Sequence, residues 1–364
     1  MNILVCTSSD SSFNSIRPEL EIYISMAKAG HNITLITHKN TSYNKRLLQH
    51  GITIIGKPIV KKLSLTSIKL IRRTVQAQLI DVVYATNSKS IPNAAFACIG
   101  LKVKLAVYRG TANGLYWHDP GNYLGTLHPR VDAIVCVSDY VYDYVSSKKT
   151  LKNKKIIRIY KGHELHWYNK PAADLSEFGI NQDAFTVICV INARPHKGLN
   201  IILQACNLLA DLHNLHLLLV GKGADREPYL STINNNKMVS RIHQAGYRHD
   251  APELIAASSI LVQPSTSGEG LPRVILEALA YGTPVIASAN KGSMEIIKDD
   301  INGYIVPLAE PVALATSIRK IYDSPQKLQF FSKHSKDILL NDMSHQLTTK
   351  KYIKFFTSLI NSTE

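Results

Sequence analysis

Two successive runs of one alternation narrow the folds open to this chain more than any other feature. Short aliphatic or β-branched segments at residues 3–7, 33–37, 52–55, 82–85, 104–108 and 133–137 are separated by stretches of helical length such as 18–29. The alternation begins again at 186–191 and runs through a helical 199–211, then 215–220, 241–245, 260–263, 284–287 and 304–306. Strands and helices that alternate in this way build parallel sheets with crossover helices. The stretch Leu215-His216-Leu217-Leu218-Leu219-Val220 is almost wholly apolar, as a strand must be when helices cover both faces of its sheet. The expected fold class is α/β, with two doubly wound parallel-sheet domains. Ligands of such sheets bind beyond the carboxyl ends of the strands, so the chemistry is sought in the loops that follow them.

Charge divides the chain. It carries 42 Lys and Arg against 27 Asp and Glu, a net +15, and residues 1–170 hold 24 of the cations against 9 acids. The remaining residues balance at 18 against 18, so the whole excess lies in the first part. The polar stretch Tyr168-Asn169-Lys170-Pro171-Ala172-Ala173-Asp174 at the step reads as a linker. The expected domains are 1–168 and 169–343, with a C-terminal helix at about 344–364 packing back on the first. The basic domain should face something anionic: a membrane surface, a phosphorylated substrate or nucleic acid.

Residues 57–73 place Lys57, Lys61, Lys62, Lys69, Arg72 and Arg73 among Val60, Leu63, Ile68 and Ile71. They read either as an amphipathic basic helix suited to an anionic membrane or as a sheet-covering helix with a solvated basic face. The longest apolar run, residues 94–101, is far short of the roughly 20 residues that span a bilayer. Met1-Asn2-Ile3-Leu4-Val5 lacks the pattern of a secretory leader. A cytoplasmic location is expected, at most peripheral on the inner face of the cytoplasmic membrane. The five cysteines, Cys6, Cys98, Cys136, Cys189 and Cys206, are odd in number and widely spaced. Buried free thiols fit them better than disulfides or a zinc site.

The densest candidate segment runs from Gln263 to Ile286. A strand ends at Gln263, a loop with Gly268 and Gly270 holds Glu269, and a helix starting near Pro272 carries Glu277 in its second turn. A loop and helix N-terminus of this kind offer backbone N–H groups and a positive dipole end to an anion. Glu277 stands where a carboxylate can accept both hydroxyls of a ribose. Two glutamates alone are a weak signal and read first as solvated surface charges; the glycines and the Gly282-Thr283-Pro284-Val285 turn around them argue for a site.

From Ser267 to Ile286 the chain resembles the donor-site signature of the family 4 retaining glycosyltransferases, in which two Glu are separated by seven residues. Three further segments agree in order. Asn192-Ala193-Arg194-Pro195-His196-Lys197-Gly198 is similar to the family's Arg and Lys-Gly element. Val220-Gly221-Lys222-Gly223 resembles its strand-end glycine turn, and Ala245-Gly246-Tyr247-Arg248 the loop that reads the nucleobase. The resemblance implies the GT-B fold, two facing Rossmann-like domains with a cleft between them. It further implies a hexosyl- or glycosyltransferase that moves a sugar from a nucleotide-diphosphate sugar to a saccharide or lipid-linked acceptor with retention of configuration, in cell-envelope polysaccharide or lipopolysaccharide synthesis.

By the same resemblance Arg194 and Lys197 stabilise the departing diphosphate, Glu269 orients hydroxyls of the donor sugar and Glu277 holds the ribose. Gly268, Gly270, Leu271, Pro272, Gly221, Tyr247 and Arg248 complete the donor site. A leaving diphosphate needs positive charge where its own negative charge grows, which suits a bidentate Arg and a point-charge Lys. No Asp-x-Asp metal site is present in the sequence, and no cofactor or metal is expected, because two cations and a helix N-terminus can take the role of Mg²⁺.

The chain also departs from the family pattern. The Arg194 to Lys197 spacing is short, and Pro272 stands where Gly is frequent and removes one N–H. Ser8-Ser9-Asp10-Ser11-Ser12 lacks a Gly-Gly pair, leaving Ser9 and Ser11 to face acceptor or phosphate. Arg109, beside Gly110, either meets a phosphate or pairs with Asp119 or Asp132. His118 lies in the aromatic Tyr116-Trp117-His118-Asp119 loop and is either catalytic or structural. Rival readings are a GT-B epimerase or phosphorylase and, less in keeping with the acidic pair, a basic nucleic-acid-binding protein; partners from the nucleic acids are not expected.

Overall fold

The structure is a computed structural model and describes residues 1–10 and 13–362. The chain divides into two compact units, Met1–Gly162 with His345–Glu364, and His163–Ser344. The division falls between Gly162 and His163, a few residues before the expected boundary at 168 and the charge step, because residues 163–168 belong to the second unit.

The first unit is built on seven parallel strands: β1 (Asn2–Cys6), β2 (Asn32–Ile36), β3 (Thr53–Ile55), β4 (Val82–Ala85), β5 (Lys104–Arg109), β6 (Ala133–Cys136) and β7 (Lys155–Arg158). Their order is β3-β2-β1-β4-β5-β6-β7, so the direction of winding reverses between β1 and β4. Residues of β1 and β4 are buried along almost their whole length, as expected of central strands with helices on both faces. β7 has no counterpart among the expected strands. Lys155-Ile156-Ile157-Arg158 is four residues with charged ends on the sheet edge, where few apolar positions are required.

The last helix, His345–Asn361, belongs to this first unit. Tyr352, Phe355, Phe356 and Leu359 enter the same core as Ile3, Val5, Leu20 and Ile24. Its position is fixed by polar contacts as well: Tyr352 OH lies 2.9 Å from Tyr84 OH, and His345 Nε2 lies 2.9 Å from Ser25 Oγ.

Residues 57–73 depart from the amphipathic helix expected of them. Ser64 Oγ accepts from Ser67 N at 3.3 Å and caps a helix that starts only at Leu65 and runs to Ala77. Lys57, Lys61 and Lys62 therefore lie on an irregular loop. Arg72 is not on the solvated face either, since it donates to the carbonyls of Ala97 and Ile99 at 3.1 and 2.7 Å. Lys69 and Arg73 remain exposed.

The second unit holds β8 (Phe185–Val190), β9 (Leu215–Val220), β10 (Ile242–Gly246), β11 (Ile260–Gln263), β12 (Val285–Ser288) and β13 (Gly303–Val306). All pair in parallel in the order β10-β9-β8-β11-β12-β13, with the reversal between β8 and β11. The helix expected over 199–211 ends earlier, spanning Leu199–Asn207. Its buried face, Leu199, Ile202, Leu203 and Cys206, joins Val187, Leu217, Val262 and Ile286 in one core. All five cysteines are buried and free, and burial pushes the thiols of Cys98, Cys136 and Cys206 up to about 12.

Candidate functional site

The winding reversal of the second sheet brings together the loops after β8 and β11, the place where a parallel sheet opens a crevice. Backbone geometry holds the two loops against each other. Thr266 N donates to the His196 carbonyl at 2.9 Å. At Gly198 (φ +76°) a Cβ would stand 2.1 Å from the Pro264 carbonyl oxygen. Gly221, after β9, is equally tight: φ is +131° and a Cβ would meet the Ile191 oxygen at 1.9 Å. Glycine is needed at both positions for close approach as well as for turning.

A cavity of about 310 Å³ opens between these loops, lined by Asn192, Arg194, Lys197, Gln263, Glu269, Pro272 and Arg273 among others. Lys197 Nζ lies 2.6 Å from Glu269 Oε1. The same carboxylate oxygen accepts from Gln263 Nε2 at 2.9 Å and from Ser265 Oγ at 2.8 Å. Three donors thus converge on one oxygen, which fixes the Glu269 side chain in position. Arg194 is exposed and lines the same cavity. Pro272 precedes the helix Arg273–Tyr281 and offers it no N–H.

Glu277 lies in the second turn of that helix and is only 2% exposed. Burial pushes its carboxyl up to about 7, against the pull of Arg273 one turn earlier. Arg273 Nε lies 2.9 Å from Glu277 Oε1, yet neither atom makes an aligned hydrogen bond, and Gln263 Oε1 is likewise buried without a partner. Buried polar groups are normally satisfied; Arg273 and Glu277 neutralise each other as an ion pair, and Gln263 Oε1, buried beside the cavity without a partner, marks a place where a ligand's hydroxyl would complete the bonding.

Gln263 and Arg273 were not among the expected site residues. Arg273 had a signal in the sequence, the four-residue spacing to Glu277 that puts the two on one helix face. Gln263 had only its place at a strand end.

The other expected residues lie partly in the same loop and partly elsewhere in their units. Gly268 (φ +80°) turns the loop beside the His196 ring, and Gly270 is buried next to half-buried Leu271. Gly270 and Glu269 carbonyls would lie 2.9 and 2.5 Å from a Cβ on Gly292. Tyr247 is exposed after β10, with Lys222 Nζ 5.2 Å from its ring. Arg248 is committed to carboxylates: its guanidinium binds both oxygens of Glu177 at 2.9 Å and both of Asp250 at 2.8 Å.

In the first unit Ser9 is buried, its N–H donating to Thr37 Oγ1 at 3.0 Å and its Oγ accepting from that hydroxyl at 2.8 Å. Ser11 lies outside the described residues. His118 is exposed and stacks on Tyr116 with ring centroids 5.5 Å apart. Arg109 and Gly110 line a second cavity, and neither Asp119 nor Asp132 pairs with Arg109. Asp119 caps its own turn by accepting from Gly121 N at 2.8 Å, and Asp132 binds Arg130 at 2.6 Å.

Beneath the strand ends of this unit lies a half-buried ion pair. Lys161 Nζ is 2.7 Å from Glu19 Oε2, and Thr7 and Tyr23 donate to Glu19 Oε1 at 2.6 and 3.1 Å. Burial alone would raise the Glu19 carboxyl, and the Lys161 ammonium overrides it and holds the group below its usual range. Thr86 donates to Thr7 at 2.8 Å, and Lys161 Nζ stands 4.2 Å over the Tyr108 ring, so the pair ties the ends of β1, β4 and β5 together. Among the described residues no cluster of three or more His, Cys, Asp or Glu could hold a metal ion. Among the described residues no helix is long and apolar enough to cross a membrane.

Two parallel sheets of Rossmann-like winding, the second with paired cations and acids at its reversal point, define the class: a tandem doubly wound α/β protein. Residues 20–167 match the family model described as Glycosyltransferase Family 4, and residues 172–337 the one described as Glycosyl transferases group 1. The chain belongs to the family 4 glycosyltransferases, with the GT-B fold.

It is 25% identical over 229 residues to the lipopolysaccharide core biosynthesis glycosyltransferase LpsE of Rhizobium meliloti, covering 63% of this chain and 65% of that one. Matches to EpsD of Bacillus subtilis and to a Methanocaldococcus jannaschii glycosyltransferase span 39 and 60% of those proteins, so the chain matches less than two thirds of the length of these curated relatives. In fold it resembles a glycosyltransferase from Rickettsia africae, with a TM-score of 0.83, 19% identity and coverage of 100% of this chain and 99% of that one. It also resembles Anabaena HepE, solved with UDP, with a TM-score of 0.79, 19% identity and coverage of 98 and 100%.

Proposed function

We propose that the chain is a glycosyltransferase that takes a sugar from a nucleoside-diphosphate sugar held by its second unit and passes it to a saccharide or lipid-linked acceptor held by its first. The observation that carries this reading is the Lys197–Glu269 pair at 2.6 Å on the cavity between the loops after β8 and β11, with buried Glu277 behind it. The relatives named for lipopolysaccharide core synthesis favour an envelope polysaccharide as the product. The neighbour solved with UDP favours a uridine nucleotide as the first donor to try.

In the reaction the bond from the anomeric carbon to the diphosphate oxygen breaks, a bond from that carbon to an acceptor hydroxyl oxygen forms with configuration retained, and the hydroxyl's proton passes to the departing diphosphate. Lys197, Arg194 and Arg273 line the space in which the diphosphate charge would grow. Cations fixed there stabilise the departing group more than the bound donor, which is what accelerates a step. Engaging the donor requires Lys197 to share itself between Glu269 and phosphate, and Glu269 then has lone pairs for hydroxyls of the sugar. Glu277, freed from Arg273, accepts two ribose hydroxyls.

The test is thermal stabilisation by UDP, GDP, ADP, CMP and their sugars, read on the wild type and on Glu277→Ala. A ligand that binds only the native state raises its stability by mass action. One nucleotide should stabilise the wild type and not the variant; if none does, the reading fails. Transfer should proceed without divalent metal, and turnover that disappears with chelator and returns with Mg²⁺ or Mn²⁺ would overturn that part.

A further inference from the structure

The first unit carries a cavity of about 400 Å³ at the carboxyl ends of β4 and β5. Thr86, Asn87 and Ser88 follow β4, Arg109 and Thr111 come from the end of β5, and Asn122 closes the far side. The cavity wall includes two cations, Arg109 and Lys62, and no Asp or Glu among the described residues. The position follows the same rule as the first site: loops beyond the strand ends of a doubly wound sheet.

Arg109 is the unusual member. Its Nε donates to the Thr111 carbonyl at 3.0 Å and its Nη2 to that of Asn113. Carbonyls orient a guanidinium and do not neutralise it. No carboxylate among the described residues pairs with it, and both acids that could have done so, Asp119 and Asp132, are engaged elsewhere. Burial lowers its pKa from the ordinary value, the direction expected of a desolvated cation without a counter-anion. Such a charge is costly unless something supplies the opposite one. Lys62, on the loop before the Leu65–Ala77 helix, is exposed and adds a second positive charge. The Asn87, Ser88 and Thr111 side chains can donate to oxygen, whereas Thr86 already donates to Thr7, and Asn122 to Tyr116 and Asp119.

We propose that this cavity binds a phosphate group carried by the acceptor, an inference that rests on the transferase reading and names the acceptor's chemistry. Arg109, anchored by two carbonyls, presents its remaining N–H groups to the phosphate, and Lys62 screens it from the mouth. The phosphate either belongs to a soluble phosphorylated saccharide or joins the saccharide to a lipid. Leu63 and Leu124, both on the cavity wall and exposed, would then border the neighbouring part of the acceptor.

The test uses the full chain with its donor site filled by saturating UDP, so that inorganic phosphate cannot report on Arg194 and Lys197. In one arm ³¹P line broadening follows a titration with inorganic phosphate and methyl phosphate. In the other, co-sedimentation is measured with phosphatidylcholine vesicles, with and without phosphatidic acid. Binding in the first arm alone indicates a soluble phosphorylated acceptor, and phosphatidic-acid-dependent binding indicates a lipid-borne one.

In whichever arm responds, Arg109→Gln should weaken binding about tenfold or more and Lys62→Ala about two- to fivefold, as for a lost charge-assisted hydrogen bond and a lost exposed charge. Retained UDP binding shows that the variants are folded. Silence in both arms, or a response undiminished in both variants, overturns the proposal. Failure of the wild type to bind any nucleotide would instead strike the transferase reading and, with it, the assignment of the phosphate to an acceptor, while a phosphate response lost in Arg109→Gln would still place a phosphate in this cavity.

Discussion

Glu277 shows how one side chain links folding to ligand binding. Its carboxyl is pushed up to about 7 by burial, and the groups facing it are Arg273, which opposes the shift, and Glu253, which adds to it; an unfolded-state glutamate titrates near its ordinary 4.5. Between those values the native chain holds a proton that the unfolded chain has lost. Unfolding free energy should therefore fall as pH rises through this window, by at most about 1.4 kcal/mol per pH unit. Denaturant unfolding of the wild type and Glu277→Gln at pH 5 and pH 7 checks this. The variant should lack the decline, and identical pH dependence in the two proteins would mean that Glu277 is ionised throughout. Nucleotide affinity should run the other way, rising with pH towards 7, because only the carboxylate accepts two hydroxyls. Glu269 and Glu277 stand out in the sequence by a resemblance that includes the seven residues between them, Arg194 and Lys197 by a resemblance with a shorter spacing, and the structure puts Glu269, Arg194 and Lys197 on one cavity. Gln263 was harder to read, because its significance lies in a carbonyl oxygen left without a partner, and that depends on burial that no local pattern reports.

At the level of elements, the loops after β8 and β11 are held by contacts that tolerate no side chain. Gly198→Ala would drive a Cβ to 2.1 Å from the Pro264 carbonyl oxygen at φ +76°. We expect it to destabilise the second unit by about 2–4 kcal/mol and to weaken nucleotide binding with it. Gly179, at φ +70° with open space around it, is the matched control, where alanine should cost about 1 kcal/mol. Urea midpoints of the two variants decide the comparison, and equal losses would show that close approach is unimportant at Gly198. The central strands were legible to within a residue or two because burial on both faces demands unbroken apolar runs, as in Leu215–Val220. β7 was not, since an edge strand needs no such run. Residues 57–73 misled because basic and apolar residues recur at helical spacing there, whereas the Ser64 cap starts the helix at Leu65.

On the scale of the whole molecule, the first unit is discontinuous, with the helix His345–Asn361 supplying Tyr352, Phe355, Phe356 and Leu359 to its core. A chain ending at Asn341 loses four large buried side chains from that core, each worth about 1.5–3 kcal/mol. The sum is comparable to the entire stability of an ordinary domain. Such a truncation should leave the first unit unfolded while the second keeps most of its sheet; hydrogen exchange resolved by unit would see protection lost from β1 and β4 and kept in β8 and β11. Protection retained in both would show that the helix is dispensable. Discontinuity also sets a timetable during synthesis. Ribosomes add about 5–20 residues per second, and some 180 residues of second unit separate Gly162 from His345. For roughly ten to forty seconds the nascent first sheet must wait with one flank uncovered, exposing Tyr84 and its apolar neighbours to whatever chaperone is near, before its final helix emerges to close it.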